Sequence, residues 1–136
     1  MSTTPPSARR VVCVDFDGTI APWGDLFGLP DPFPGVPEAM RKLDDWGYHI
    51  VILTSRMSAT WLEKDHERFG FDTADEFRRA NRTYLTDYLN KYHIPFAAIT
   101  AQKVAAEAYM DDHAVYAGKG TLPHAINMLL DGFDDE

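Results

Sequence analysis

Val11-Val12-Cys13-Val14-Asp15-Phe16-Asp17-Gly18-Thr19 is the stretch that decides the fold: an apolar run that ends abruptly on acids, a glycine and a hydroxyl. An uninterrupted apolar run without polar alternation describes a strand of a parallel sheet, buried on both faces. The form recurs where Tyr48-His49-Ile50-Val51-Ile52-Leu53 runs into Thr54, and where Ala106-Glu107-Ala108-Tyr109-Met110 runs into Asp111-Asp112. Open α/β sheets bind ligands outside the carboxyl ends of their strands, so Asp15, Asp17, Thr54, Asp111 and Asp112 are expected at one edge.

Helical patterns separate these runs. Val36, Met40, Leu43 and Trp46 recur at helical spacing, with Pro37 suited to the first turn and Gly47 where a left-handed cap falls. Ser58 is placed to cap a second helix that contains Trp61, Leu62, Asp65 and Phe69 and ends near Gly70, with a sparse apolar face. Thr73-Ala74-Asp75-Glu76 is a capping box opening a longer helix, whose Phe77, Ala80, Tyr84, Leu85, Tyr88, Leu89 and Tyr92 form a core-packing stripe. Pro95 stops it, residues 96–99 read as a short strand, and residues 121–130 as a last helix closed by Gly132. Alternating strands and helices argue for right-handed crossovers and a three-layer α/β/α sandwich around a mostly parallel, Rossmann-like sheet.

The chain has 136 residues, which fits a single domain. The reading is a flexible leader over residues 1–8, one domain over 9–131 and an acidic tail over 132–136. Hydrophobic content of 45% and charged content of 25% are ordinary for a folded globular chain. No run is long enough to span a membrane and the first residues carry no signal-peptide core, so the cytoplasm is the expected address. The lone cysteine, Cys13, sits in a strand and reads as a packed thiol. A net charge of −8 opposes non-specific nucleic-acid binding, and Arg78, Arg79 and Arg82 read as a solvated helix face before they read as a basic patch.

Asp15 and Asp17 lie two apart on extended chain and leave the same face. Carboxylates that close repel unless a cation or a proton joins them, and Mg²⁺, a hard ion that prefers oxygen ligands, is the natural cation. Asp111 and Asp112 can complete its shell. No His or Cys cluster has zinc spacing. Such an acidic centre receives a phosphate dianion only if donors and a cation oppose it, the part assigned to Thr54 and Lys103. Asp15 is then the candidate nucleophile through an aspartyl-phosphate, and Asp17 the acid that protonates the leaving alcohol and the base that activates water. Gly18 lets the backbone turn close to the phosphate. Thr19, Ser55, Arg56 and Trp23 are further substrate-binding candidates, Arg56 being equally readable as a surface ion pair and Trp23, with Phe27, as rim or core-edge cover.

Asp15-Phe16-Asp17-Gly18-Thr19, then Thr54, then Lys103, then Asp111-Asp112 together resemble the four ordered motifs of the haloacid dehalogenase superfamily of phosphohydrolases, over about residues 10 to 115. The resemblance implies Asp15 as nucleophile, Asp17 as general acid/base, Thr54 and Lys103 as charge stabilisers, and Mg²⁺ on Asp15, the Asp17 carbonyl and Asp111. Asp112 is implied to bind a water on the metal or to orient Lys103. The second acid of the first motif favours phosphate chemistry over dehalogenation. Neither the gap 20–36 nor the gap 55–102 holds a full cap domain, so the chain is similar to small capless members, with the 20–36 loop and the 58–70 helix as the segments available for a partial lid. A capless site is open to a phosphate on a small or a large molecule, or is covered by an oligomer partner.

The leading expectation is therefore a Mg²⁺-dependent phosphomonoesterase. A nucleotide or polynucleotide-end phosphatase is the alternative within enzymes, with nucleic acid not favoured by the charge. Outside enzymes stand a phospho-accepting receiver, whose paired acids come first along the chain rather than last as here, and a non-catalytic binding domain, opposed by the presence of every motif residue.

Overall fold

The computed structural model describes residues 11–102, 108–111, 115–116, 122–124, 126–127 and 130. The first strand, β1, is Val11–Asp15, and helix α1, Val36–Asp45, leads to β2, His49–Leu53. A short 3-10 turn at Ser55–Met57 and helices α2, Ala59–Asp65, and α3, Ala74–Lys91, lead to β3, Ala98–Thr100. Strands β4, Ala108–Asp111, and β5, Val115–Tyr116, complete one sheet of order β3-β2-β1-β4-β5, every pairing parallel. The parallel, Rossmann-like α/β architecture expected from the sequence is present, and among the described residues no cap domain interrupts it. β5 adds to the four expected strands; two residues cannot show an alternation.

The β1-α1-β2 and β2-α3-β3 connections step in the same direction across the sheet, so right-handed crossovers put α1 and α3 on one face. Val12, Val14, Ile50, Ile52, Ile99 and Met110 point to that face and join Met40 and Leu43 of α1 and Leu85 and Leu89 of α3 in the core. The centre of the opposite face is covered too, for Cys13 is 1% exposed. The last helix, described at 122–124, 126–127 and 130, adds Leu122, Ile126 and Leu130 to the α1 side of the core.

Local signals explain the helix boundaries. Gly47, at φ 89°, ends α1, and Thr73 caps α3 by accepting the Glu76 amide at 3.1 Å. Ser58 precedes α2 as expected, but its side chain accepts no capping bond. The sparse apolar face of α2 is supplemented by aromatic rings: Trp61 lies 4.9 Å and Phe71 5.1 Å from Phe77 of α3, and Phe69 stacks on the same ring at 5.3 Å. α2 thus packs on α3. The leader and the tail lie outside the described residues, and the third strand falls a little later than expected, at Ala98–Thr100.

Candidate active site

At the carboxyl end of β1 the chain does not run on. The Phe16 carbonyl accepts the amides of Thr19 at 3.2 Å and Ile20 at 2.9 Å, while the Gly18 amide donates to the Ala21 carbonyl at 2.8 Å. Gly18 takes φ 80°, a left-handed conformation costly to any residue with a Cβ. The anchor is Phe16, fully buried and set edge-on against Tyr88 of α3 with ring centroids 5.5 Å apart. This knot leaves Asp15 half-exposed at the edge and Asp17 buried beside the end of β2.

Thr54 follows β2 in extended conformation, its amide donating to the Thr100 carbonyl at 2.8 Å and continuing the ladder with β3. Its Oγ1 accepts the Arg56 amide at 3.1 Å, so the threonine caps the 3-10 turn and keeps its hydroxyl proton to donate. On the other flank, Val14 pairs with Met110, and the next residue on each strand is Asp15 and Asp111. The backbone therefore brings Asp15, Asp17, Thr54 and Asp111 to one sheet edge. Lys103, Asp112 and the side chain of Asp111 lie outside the described residues.

Arg56 meets Asp17 beside this edge, and the pairing is buried. Nε and Nη2 donate to the two carboxylate oxygens of Asp17, each at 3.0 Å, and Nη1 donates to the Leu26 carbonyl at 2.6 Å. Side-chain exposures of 8% and 6% place the pair out of solvent, unlike the surface ion pair that was the sequence alternative. A planar fork on a carboxylate fixes orientation as well as charge. The other candidates diverge. Ser55 is exposed, Trp23 is 71% exposed, and the indole of Trp23 lies against Gly18. Thr19 is fully buried and its Oγ1 has no hydrogen-bond partner. Arg78 and Arg79 both pair with Asp75 on an exposed face of α3, the solvated face the sequence suggested. Their guanidinium groups, the hydrogen bond from Arg78 foremost, lower the Asp75 pKa.

A hard, oxygen-preferring cation fits the donors this edge offers, since Asp15 and Asp111 end adjacent strands and both are carboxylates. Among the described residues no group of three or more metal-ligating side chains converges. Two hollows, of 450 and 580 Å³, lie at the opposite end of the strands; they are lined by Asp44, His49, Asn90 and Pro95 among others and gather none of the motif residues.

No protein-family model matches the chain, and no curated protein matches it. Among solved structures, a conserved protein from Bacteroides thetaiotaomicron shares the fold at a TM-score of 0.53 and 17% identity, over 90% of each chain. The D,D-heptose 1.7-bisphosphate phosphatase from B. bronchiseptica, solved with magnesium and phosphate, aligns at a TM-score of 0.44 and 18% identity. That alignment covers 91% of this chain and 63% of that one, a likeness too slight to bear on function. No described helix is long and apolar enough to cross a membrane.

Proposed function

We propose that this chain is a phosphomonoesterase of the haloacid dehalogenase type, acting through an aspartyl-phosphate on Asp15 and requiring Mg²⁺. The observation that carries the reading is the shared carboxyl edge: Asp15 ends β1, Asp17 follows in the tight turn, Thr54 follows β2 and Asp111 ends β4. The motif order along the chain supports it, and Lys103 and Asp112 belong to the proposal as charge stabiliser and outer acid.

A carboxylate oxygen of Asp15 attacks phosphorus as the ester oxygen departs, and Asp17 delivers a proton to that oxygen, releasing the alcohol. Asp17 then takes a proton from water, whose oxygen attacks the acyl phosphate and frees Asp15 and inorganic phosphate. The Thr54 hydroxyl donates to a phosphoryl oxygen, and Lys103 opposes its charge. Asp15, the Asp17 carbonyl and Asp111 would hold Mg²⁺, which would supply charge neutralisation for the phosphoryl group.

The test is phosphate release from an aryl phosphate and from a panel that includes nucleotides and 3′-phosphorylated oligonucleotides. Turnover that needs Mg²⁺ and is abolished by Asp15→Asn is expected. Metal-independent release, or release that survives Asp15→Asn, would sink the mechanism.

A further inference from the structure

Arg56 reaches three parts of the edge at once. Its guanidinium holds both oxygens of Asp17, its Nη1 holds the Leu26 carbonyl, and its backbone amide donates to Thr54 Oγ1. Leu26 lies in a small turn in which Asp25 bridges Gly28 and the Gly28 amide donates to the Asp25 carbonyl at 3.2 Å. Exposed rings flank and occupy that turn, Trp23 at 71% just before it and Phe27 at 41% within it. The guanidinium is thus the link between the rim of the site and a carboxylate in its interior.

We propose that Arg56 is a positioning residue that latches the 22–28 segment onto Asp17. An ionised carboxylate offers about four lone-pair sites, and the fork takes one on each oxygen. The remaining lone pairs keep one orientation, so the proton that Asp17 carries to the leaving alcohol and later takes from water sits at a fixed place on the carboxyl group; this consequence rests on the phosphatase reading above. Lysine cannot replace the fork. It is a single point charge that can neutralise Asp17 yet cannot hold two oxygens in plane while also reaching Leu26.

The test compares wild type with Arg56→Lys, both checked for folding by circular dichroism, in two measurements. Hydrogen exchange of the 23–28 amides, above all the Gly28 amide that donates to Asp25, reads the latch without reference to catalysis and is expected to be about tenfold faster in Arg56→Lys, with exchange in β1 and β2 unchanged. Phosphate release reads the carboxylate: kcat is expected to fall about 100-fold with KM within a few fold, the scale of a misplaced acid/base group. Exchange in this segment equal to wild type overturns the latch, and an unchanged kcat with faster exchange there overturns the positioning of Asp17. If wild type releases no phosphate from any substrate, the phosphatase reading fails by itself, and the exchange measurement still decides the latch.

Discussion

Residues 17–28 and residues 29–33 belong to one loop, and they are fastened by different chemistry. The second limb hangs from α3 by tyrosines one helical turn apart: the Leu29 amide donates to the Tyr84 hydroxyl at 2.7 Å, Tyr88 donates to the Pro30 carbonyl at 2.6 Å, and Tyr92 donates to Asp31. Each bond joins neutral or exposed groups. The first limb holds a buried ion pair, a left-handed glycine and a buried hydroxyl without a partner. Costly local arrangements gather where a site needs fixed geometry, while inexpensive ones serve where a loop only needs holding.

The comparison breaks most visibly at Asp17. Asp17→Ala leaves the Arg56 guanidinium buried without its partner, which should cost about 3–5 kcal/mol. Denaturant unfolding measures it, and the pair Asp17→Leu with Arg56→Met should recover much of the loss, because apolar groups fill the space of a buried ion pair at little cost. A double variant no more stable than Asp17→Ala would mean that the stability lies in the Leu26 contact. Gly18→Ala should cost about 1–2 kcal/mol, since an L side chain is strained at φ 80°. The added Cβ would also meet Trp23 Nε1 at 3.0 Å, and that exposed indole has room to move. A change in tryptophan fluorescence should therefore accompany the loss.

Thr19 sharpens the contrast in the opposite direction. A buried hydroxyl without a partner carries an uncompensated desolvation cost, so Thr19→Val, nearly the same shape, should raise stability by about 1 kcal/mol. A gain in melting temperature with full turnover would make the hydroxyl a passenger. A gain in stability with reduced turnover would place it among the groups held ready for a ligand, which is the stability cost expected at a functional limb. Lower stability in Thr19→Val would mean that the hydroxyl is satisfied in solution.

Much of this was legible in the chain. The abrupt ends of the apolar runs located the edge, and Gly47 and Thr73 marked helix boundaries where the structure has them, while α2 ends at Asp65, short of the expected Gly70, which closes a 3-10 turn at Glu67–Phe69. Arg56 was legible only as a choice between substrate contact and surface pair. Its burial depends on the Phe16 turn folding Asp17 back beside β2, and no local pattern encodes that meeting of residues 39 apart. The stripe of α3 read as core packing because hydrophobic periodicity registers the rings and is blind to the hydroxyls. Tyr84, Tyr88 and Tyr92 pack and also tie the loop. The placement of α2 was obscured for a related reason, since its partners are rings contributed from outside its own helical period.

The smallest effect separates the limbs by pH. Burial, then the neighbouring Tyr92 and Asp31 charges, raise the Tyr88 pKa, and the hydrogen bond to Asp31, then burial, raise that of Tyr92. A group whose folded pKa exceeds its unfolded value contributes fully below the unfolded value, about 10 for tyrosine, and loses that contribution as pH rises through the folded one. The tyrosine-tied limb should therefore weaken above about pH 10. Melting temperature followed from pH 8 upward should fall less steeply in Tyr88→Phe than in wild type, because the variant has no phenol to ionise. Parallel curves would show that Tyr88 ionises equally in both states and that its bond to Pro30 carries none of the alkaline dependence. The Tyr92 bond to Asp31 lies at the surface, so Tyr92→Phe should shift the same curve by less than Tyr88→Phe does, and a larger shift there would reverse the order in which the rungs hold the loop.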